Sequence, residues 1–150
     1  MMGKSDEKMD LVIIGGGIFG CAIAYYFSKN NPGKQLMLLE RNELNNAATS
    51  RAAALMTMVR SKRSYIPLTI ETFKVAKEIA PWLKLDEALK IGFVPNEAYC
   101  DPYMLGTFFA RCAKNRGTKI RQGVEVVGLI HEAGTVKGVK TTEGDILAET

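Results

Sequence analysis

The most constraining feature of this chain is a short apolar run that leads directly into a cluster of glycines. Residues 11–14 are Leu-Val-Ile-Ile, and Gly15, Gly17 and Gly20 follow at fixed spacing. The first glycine allows a tight turn off a strand, the second lets the backbone approach a pyrophosphate, and the third lets the next helix pack closely on the strand. The spacing predicts the first half of a dinucleotide-binding βαβ unit.

A helix is predicted to begin at about Ile18 and to stop at residues 30–33, which read Asn-Asn-Pro-Gly. Its first turn would direct free backbone N–H groups and the positive end of the helix dipole toward the phosphates. We therefore include Ile18 and Phe19 among the candidate cofactor-binding residues. The helix carries apolar residues at Ala22, Ile23, Tyr26 and Phe27.

A second apolar run, residues 36–39, ends in Glu40, 20 residues beyond Gly20. A carboxylate at the end of this strand can accept hydrogen bonds from both ribose hydroxyls of a dinucleotide. Its charge would repel a 2′-phosphate, which disfavours a phosphorylated nicotinamide cofactor. Strand, glycine loop, helix, strand and acid in register are more specific than a glycine pattern alone.

Length and charge exclude several classes of protein. The 150 residues, 47% of them apolar, suffice for one core but not for a dinucleotide domain plus a full substrate domain. The net charge of +4 comes from scattered Lys and Arg, without a basic stripe interleaved with aromatics, so nucleic-acid binding is not expected. Residues 1–9 are predicted to be a flexible N-terminus. They lack the apolar stretch of a secretory signal, and no run is long enough for a membrane span, so any membrane contact would be peripheral.

The three cysteines and the single histidine do not form a metal-binding pattern. Cys21, Cys100 and Cys112 have no C-x-x-C spacing, and Cys21 and Cys112 fall on helix faces among apolar residues. We expect reduced thiols and a cytoplasmic protein. His131 has no Cys or carboxylate cluster near it in sequence, so we predict a surface or half-buried strand residue and no metal site.

The rest of the chain predicts an α/β domain. Residues 42–54 are rich in small residues and include the hydroxyls of Thr49 and Ser50, which favours a ligand-lining loop over a plain surface connection. A helix is predicted from Pro67, with a break at residues 81–82, and a second from an Asp101 N-cap to Gly117. From residue 118 onward, short β-rich pieces predict one strand that returns to the parallel sheet, followed by a small antiparallel meander.

In this order, the motifs resemble the N-terminal part of the amine-oxidising flavoprotein family that includes D-amino acid oxidase, glycine oxidase and sarcosine oxidase. The resemblance implies a Rossmann-like FAD-binding domain, with FAD and not NAD as the cofactor. It covers nearly the whole chain, and the segments that carry it are residues 14–26, 38–41, 48–54, 101–105 and 123–126.

The resemblance also assigns cofactor-binding roles residue by residue. The FAD pyrophosphate would lie on the glycine loop, and the adenosine would lie beside the end of the second strand. The family commonly has a glycine where this chain has Ala54, which puts the fit of the flavin ring at that position in question. The implied contacts are Gly15, Gly17 and Gly20 with the pyrophosphate, Glu40 with the ribose, Arg41 with the adenine, Thr49 and Ser50 with the pyrophosphate and ribityl chain, Ala53 and Ala54 with the isoalloxazine, and the Val126 backbone with the adenine.

Two departures from the family concern the substrate domain. Between residues 82 and 101 the family usually has several more strands, and beyond residue 150 it continues into the rest of the substrate sheet. The chain is therefore expected to be an incomplete FAD-binding domain, residues 1–150, completed by a second polypeptide or a missing C-terminal segment. The family chemistry is hydride transfer from a small amine or amino acid to flavin, re-oxidised by oxygen or an electron-transfer partner. We name no catalytic residue, and we expect the isolated chain to be inactive.

Two alternative functions share the same βαβ unit. A non-catalytic dinucleotide-binding or assembly module is compatible with half a substrate site. An NAD-dependent dehydrogenase domain is compatible with the glycine loop, although residues 49–54 and the helix that begins after Asp101 argue against it, because such a domain would continue the strand–helix alternation. As an incomplete domain, the chain is expected to have an unpaired sheet edge and an uncovered apolar face, which predict self-association, partner binding or poor solubility.

Overall fold

The structure is a computed structural model that describes residues 8–52, 55–57, 63–79, 93–94 and 97–149. The predicted contacts of Ala53 and Ala54 and the predicted break at residues 81–82 lie outside the described residues. The elements in chain order are β1 (Lys8–Met9), β2 (Leu11–Ile14), α1 (Ile18–Asn30), β3 (Leu36–Glu40), β4 (Leu55–Thr57), a 3-10 turn (Arg63–Tyr65), α2 (Ile66–Ile79), β5 (Phe93–Val94), β6 (Glu97–Tyr99), α3 (Pro102–Asn115), β7 (Lys119–Gln122), β8 (Val126–Glu132), β9 (Thr135–Thr141) and β10 (Gly144–Ala148).

The parallel sheet has the strand order β2-β3-β7. In its register Ile13 lies opposite Leu38, and Leu38 lies opposite Ile120. The four apolar residues of β3 are all buried, as expected for a central strand covered on both faces. The strand predicted to return to the parallel sheet is thus confirmed as β7, and the Rossmann-like α/β fold is confirmed with it.

Helices α1 and α3 cover one face of this sheet. Their shared core includes Tyr25, whose ring lies 5.4 Å from that of Phe109. Three of the four apolar residues noted on α1, Ala22, Tyr26 and Phe27, pack against this core while remaining partly exposed. The helix buries Cys21, Ala24 and Tyr25, whereas Ile23 is 52% exposed. The small residues face inward because the helix lies very close to the strand at Gly20.

An antiparallel meander, β8-β9-β10, covers the other face of β3, which confirms the predicted meander. β10 also pairs in parallel with β1, where Met9 lies opposite Ala148 and is buried. The prediction of a flexible segment 1–9 therefore does not hold for Lys8 and Met9. Burial of the Met9 side chain and pairing with β10 order these two residues.

A third, antiparallel sheet has the order β4-β6-β5, in which Met56 lies opposite Ala98. Helix α2 begins at Ile66, one residue before the predicted start. The C-terminal helix α3 begins as predicted, because the Asp101 carboxylate accepts the N–H groups of Tyr103 at 2.9 Å and Met104 at 3.1 Å. This cap satisfies two backbone donors that a helix cannot satisfy internally.

Replacement of Asp101 by Ala should lower the free energy of unfolding by about 1 kcal/mol, because two N–H groups lose their acceptor at the start of a core helix. Urea unfolding followed by circular dichroism measures this change. Asp145→Ala, which removes an exposed carboxylate from β10, is the matched control and should change the free energy by no more than about 0.5 kcal/mol. Equal effects of the two substitutions would show that the cap contributes nothing.

Candidate functional site

The glycine loop connects β2 to α1 in a conformation that requires two of its glycines. Gly15 has φ +101°, in the region that favours glycine, and its N–H donates to the carbonyl of Leu39 at 2.8 Å. A Cβ atom on Gly20 would overlap the carbonyl oxygen of Gly15. The strand end and the first turn of α1 are therefore held in direct backbone contact, as the spacing predicts.

Glu40 fastens the glycine loop to the end of β3. Its Oε2 accepts the Gly16 N–H at 2.7 Å, and its Oε1 accepts the Asn42 N–H at 2.9 Å. A carboxylate has about four lone-pair positions, so each oxygen retains capacity for one further donor. The half-buried carboxylate is thus fixed in orientation and still able to accept hydroxyl groups.

A cleft of about 280 Å³ opens beside this carboxylate, at the carboxyl ends of β2 and β3. Ligands of open α/β sheets bind at such strand ends. The cleft brings together four predicted site residues from three segments: Gly15, Glu40, Arg41 and Val126. Sequence reasoning missed its other lining residues, Ile14, Leu39, Val124 and Glu125.

The segment that closes this cleft is held by a backbone contact. The Val124 N–H donates to the Glu40 carbonyl at 3.0 Å, and the Val124 side chain is buried. Gly123, with φ +76°, makes the turn just before it. In the sequence, this part of the site is signalled by that glycine and by the family-like segment 123–126.

Thr49 lies at the N-terminus of α1, although 31 residues separate it from the helix start. Its Oγ1 accepts the Ile18 N–H at 3.0 Å, and the residue is buried. A Cβ atom on Gly17 would lie 3.2 Å from this oxygen, so the glycine leaves room for the loop. Thr49 therefore joins the loop of residues 42–52 to the glycine loop.

Two other predicted site residues are less closely engaged. Ser50 is exposed, and its hydroxyl donates to the carbonyl of Ala47 at 3.1 Å. The Phe19 side chain is 83% exposed and lines a groove along α1 with Ile23 and Tyr26. Any contribution of Phe19 to this loop therefore comes from its backbone.

Cys21 lies beneath the glycine loop and is chemically protected. Its thiol donates to the Gly16 carbonyl at 3.4 Å, and burial raises its pKa to about 11, so it stays protonated at neutral pH.

All three cysteines are free, and His131 is an exposed residue of β8, which confirms its predicted placement. The described part of the chain contains no cluster of three or more His, Cys, Asp or Glu side chains arranged to hold a metal ion. None of its helices combines the length and apolarity of a bilayer-spanning segment.

The residues present fit a dinucleotide. The first N–H groups of α1 have no acceptor within the helix, and of these the Ile18 N–H is held by the Thr49 hydroxyl. The adjoining cleft has an apolar wall, an oriented carboxylate and the exposed cation Arg41. Together they can hold a pyrophosphate, a ribose and a flat base in sequence.

Comparisons with known proteins show what this chain is similar to. The family model described as FAD dependent oxidoreductase matches residues 10–81. The resemblance to the amine-oxidising flavoproteins is confirmed. FAD is the cofactor of the matched family.

Individual relatives point the same way. Glycine oxidase of Bacillus licheniformis is 24% identical over 197 residues, covering 95% of this chain and 53% of its own length. The 4-methylaminobutanoate oxidase (formaldehyde-forming) of Paenarthrobacter nicotinovorans is 23% identical over 186 residues, covering 89% of this chain and 22% of its own. The structure of a Bacillus cereus glycine oxidase superposes with a TM-score of 0.80 at 19% identity, covering 95% of this chain and 55% of the other, and shows that the fold is shared. This chain spans about half the length of the glycine oxidases that it matches.

Replacement of Gly20 by Ala should distort the site, because the added Cβ would overlap the Gly15 carbonyl oxygen. We expect the free energy of unfolding to fall by about 1–3 kcal/mol, as for other overpacked positions. Urea unfolding measures the change. Gly128→Ala on β8 is the matched control, since its Cβ would meet only the Lys140 side chain at 3.9 Å. A Gly20→Ala variant as stable as Gly128→Ala would contradict the close contact between α1 and β2.

Proposed function

We propose that this chain is the FAD-binding part of an oxidoreductase that oxidises an amino acid or a primary or secondary amine. The observation that carries the proposal is the cleft that joins Gly15, Glu40, Arg41 and Val126 beside the N-terminus of α1. The family match supports FAD as the occupant. When bound, FAD supplies the acceptor for the hydride removed from the substrate.

The adenosine half of the cofactor would occupy the cleft. The Glu40 carboxylate is oriented by two backbone N–H groups and would accept hydrogen bonds from the ribose hydroxyls. The exposed guanidinium of Arg41 would lie beside the base. The backbone of Val126 would contact the adenine edge. These residues bind and orient the cofactor, and no proton transfer is assigned to them.

The pyrophosphate would lie at the start of α1. The Thr49 hydroxyl accepts the Ile18 N–H, so its own proton is free to be donated outward to a phosphate oxygen. Ser50 would provide a second hydroxyl nearby, and Ala53 and Ala54 would pass close to the flavin ring. The positive end of the helix dipole adds favourable electrostatics for the phosphate charges.

Completion of the enzyme would require the other half of the family fold. Within the described residues, β2 pairs along one edge only, with β3. The apolar side chains of Ile14, on β2, and of Phe19 and Ile23, on the first turns of α1, are exposed. We propose that a second polypeptide, or a further segment of a longer protein, covers this surface and supplies the substrate-binding residues. The isolated chain would then be inactive, and a cytoplasmic location remains a prediction.

The non-catalytic module remains the second candidate, because this chain spans about half the length of the glycine oxidases that it matches. It would use the same cleft to hold the dinucleotide without chemistry. Co-expression with a polypeptide that carries a substrate domain separates the two proposals. Amine oxidation by the complex supports the enzyme, whereas bound FAD without turnover supports the module.

Replacement of Glu40 by Gln should weaken FAD binding by about tenfold, because one oriented acceptor for the ribose hydroxyls becomes a donor. Quenching of flavin fluorescence during titration of the full chain measures the dissociation constant. Glu132→Gln, which changes an exposed carboxylate at the end of β8, is the matched control and should leave the constant unchanged. If both substitutions have the same effect, Glu40 does not hold the ribose.

The uncovered surface should make the purified chain self-associate. We expect Phe19→Ser to weaken that association by about tenfold, since Phe19 contributes the largest exposed apolar side chain of the patch. Sedimentation velocity over a concentration series measures the association. Val127→Ser, on the exposed face of the meander, is the control and should change little. A chain that stays monomeric with an ordinary melting temperature would contradict the proposal that a second polypeptide or a further segment covers this surface.

A further inference from the structure

Asn45 combines two features that each cost free energy in a folded protein. Its φ is +60°, in the left-handed region that non-glycine residues seldom occupy, and Asn tolerates this region better than most. It is also only 1% exposed, although it lies in a loop of otherwise mostly exposed residues. A buried polar residue in a strained conformation marks a position where the surroundings impose the geometry.

The backbone of Asn45 joins both loops of the site. Its N–H donates to the carbonyl of Gly16 at 2.9 Å, and its own carbonyl accepts the Ser50 N–H at 3.1 Å. The first bond fixes the loop of residues 42–52 to the glycine loop. The second closes the turn that carries Thr49, whose hydroxyl reaches Ile18.

The side chain of Asn45 is wedged against α3. A Cβ atom on Gly106 would overlap the amide, at 2.5 Å from Cγ and 2.7 Å from Nδ2. Oδ1 is within 3.9 Å of the Cys21 thiol, while Nδ2 has no hydrogen-bond partner in the described part of the chain. The amide is therefore held mainly by shape, in a notch that only glycine leaves open.

We propose that Asn45 is a positioning residue for the cofactor, a wedge that sets the spacing between the glycine loop and the Thr49 hydroxyl. The contact with Gly106 of α3 fixes the position of the amide. The backbone hydrogen bonds of Asn45 then fix Gly16 and the turn that contains Thr49 relative to that position. The inference rests on the proposed function, because the two loops are taken to be the pyrophosphate site. It adds a residue whose side chain is not among those that line the cleft.

Two substitutions perturb the wedge from opposite sides. Asn45→Gly keeps the left-handed backbone accessible and removes the amide. Gly106→Ala leaves the loop sequence intact and pushes the amide out of its notch from α3. In the double variant the added methyl group occupies the space that the amide has vacated, so the cost of Gly106→Ala should largely disappear. Ala133→Gly, at the exposed hairpin residue with φ +48°, is the control for a backbone change at a left-handed position.

Three readouts are taken on the full 150-residue chain: the FAD dissociation constant, amide hydrogen exchange at Ile18, and the melting temperature. We expect each single variant to weaken FAD binding by about tenfold and to accelerate Ile18 exchange by a similar factor, since small displacements of positioned groups are costly. In the Asn45→Gly background, Gly106→Ala should change the FAD constant by less than about twofold, a non-additivity diagnostic of direct coupling. Ala133→Gly should leave FAD binding and Ile18 exchange unchanged.

The outcomes separate this inference from the proposed function. If the variants lower the melting temperature but leave both FAD binding and Ile18 exchange at the wild-type level, Asn45 is only a structural residue and the proposal is overturned. If the wild-type chain binds no FAD, the proposed function fails for the isolated chain. Amide hydrogen exchange at Ile18 then tests by itself whether Asn45 positions the two loops. If Ile18 exchange in Asn45→Gly equals that of the wild type, the positioning role of Asn45 is refuted. If Asn45→Gly accelerates the exchange and adding Gly106→Ala accelerates it no further, the role is supported.

Discussion

Strand β3 is buried on both faces, and the positions of both halves of the site depend on this burial. Leu36 and Leu38 pack against α1 and α3, while Met37 and Leu39 pack against the meander. Because the strand is fixed from both sides, the carboxylate of Glu40 at its end has a defined place. The Glu40 carboxylate accepts the Gly16 N–H, and the backbone carbonyl of Glu40 accepts the Val124 N–H. The cleft follows from these two attachments.

The local parts of this arrangement were predictable from sequence, and the parts made by distant segments were not. The strand, the glycine loop, the start of α1 and the acid follow from spacing within forty residues, and the Asp101 cap follows from its neighbours. Close packing of Ala24 depends on how closely Gly20 lets the helix approach β2, and the exposure of Ile23 does not follow from its spacing. Val124 and Asn45 escaped notice because their roles come from contacts with Glu40 and with Gly106, more than fifty residues away in sequence.

The described part of the site carries groups that suit a nucleotide. Backbone donors, an oriented carboxylate and a buried hydroxyl are built around the glycine loop, and nothing in this set transfers a proton. Flavin-dependent amine oxidation requires alignment of substrate and cofactor more than acid–base groups from the cofactor domain. The chain is thus suited to hold the cofactor, and the residues that select the substrate are proposed to belong to the half that its relatives possess in addition.

The central claim is that the cleft between Glu40 and Val126 holds the adenosine half of FAD. Amide chemical-shift mapping of the isotope-labelled chain, with FAD added in steps, tests this claim residue by residue. The account predicts shifts concentrated at Gly15–Ile18, at Glu40 and Arg41, and at Val124–Val126, with little change in the β8–β9 hairpin. Shifts that are absent, or that cluster away from these three segments, would contradict it.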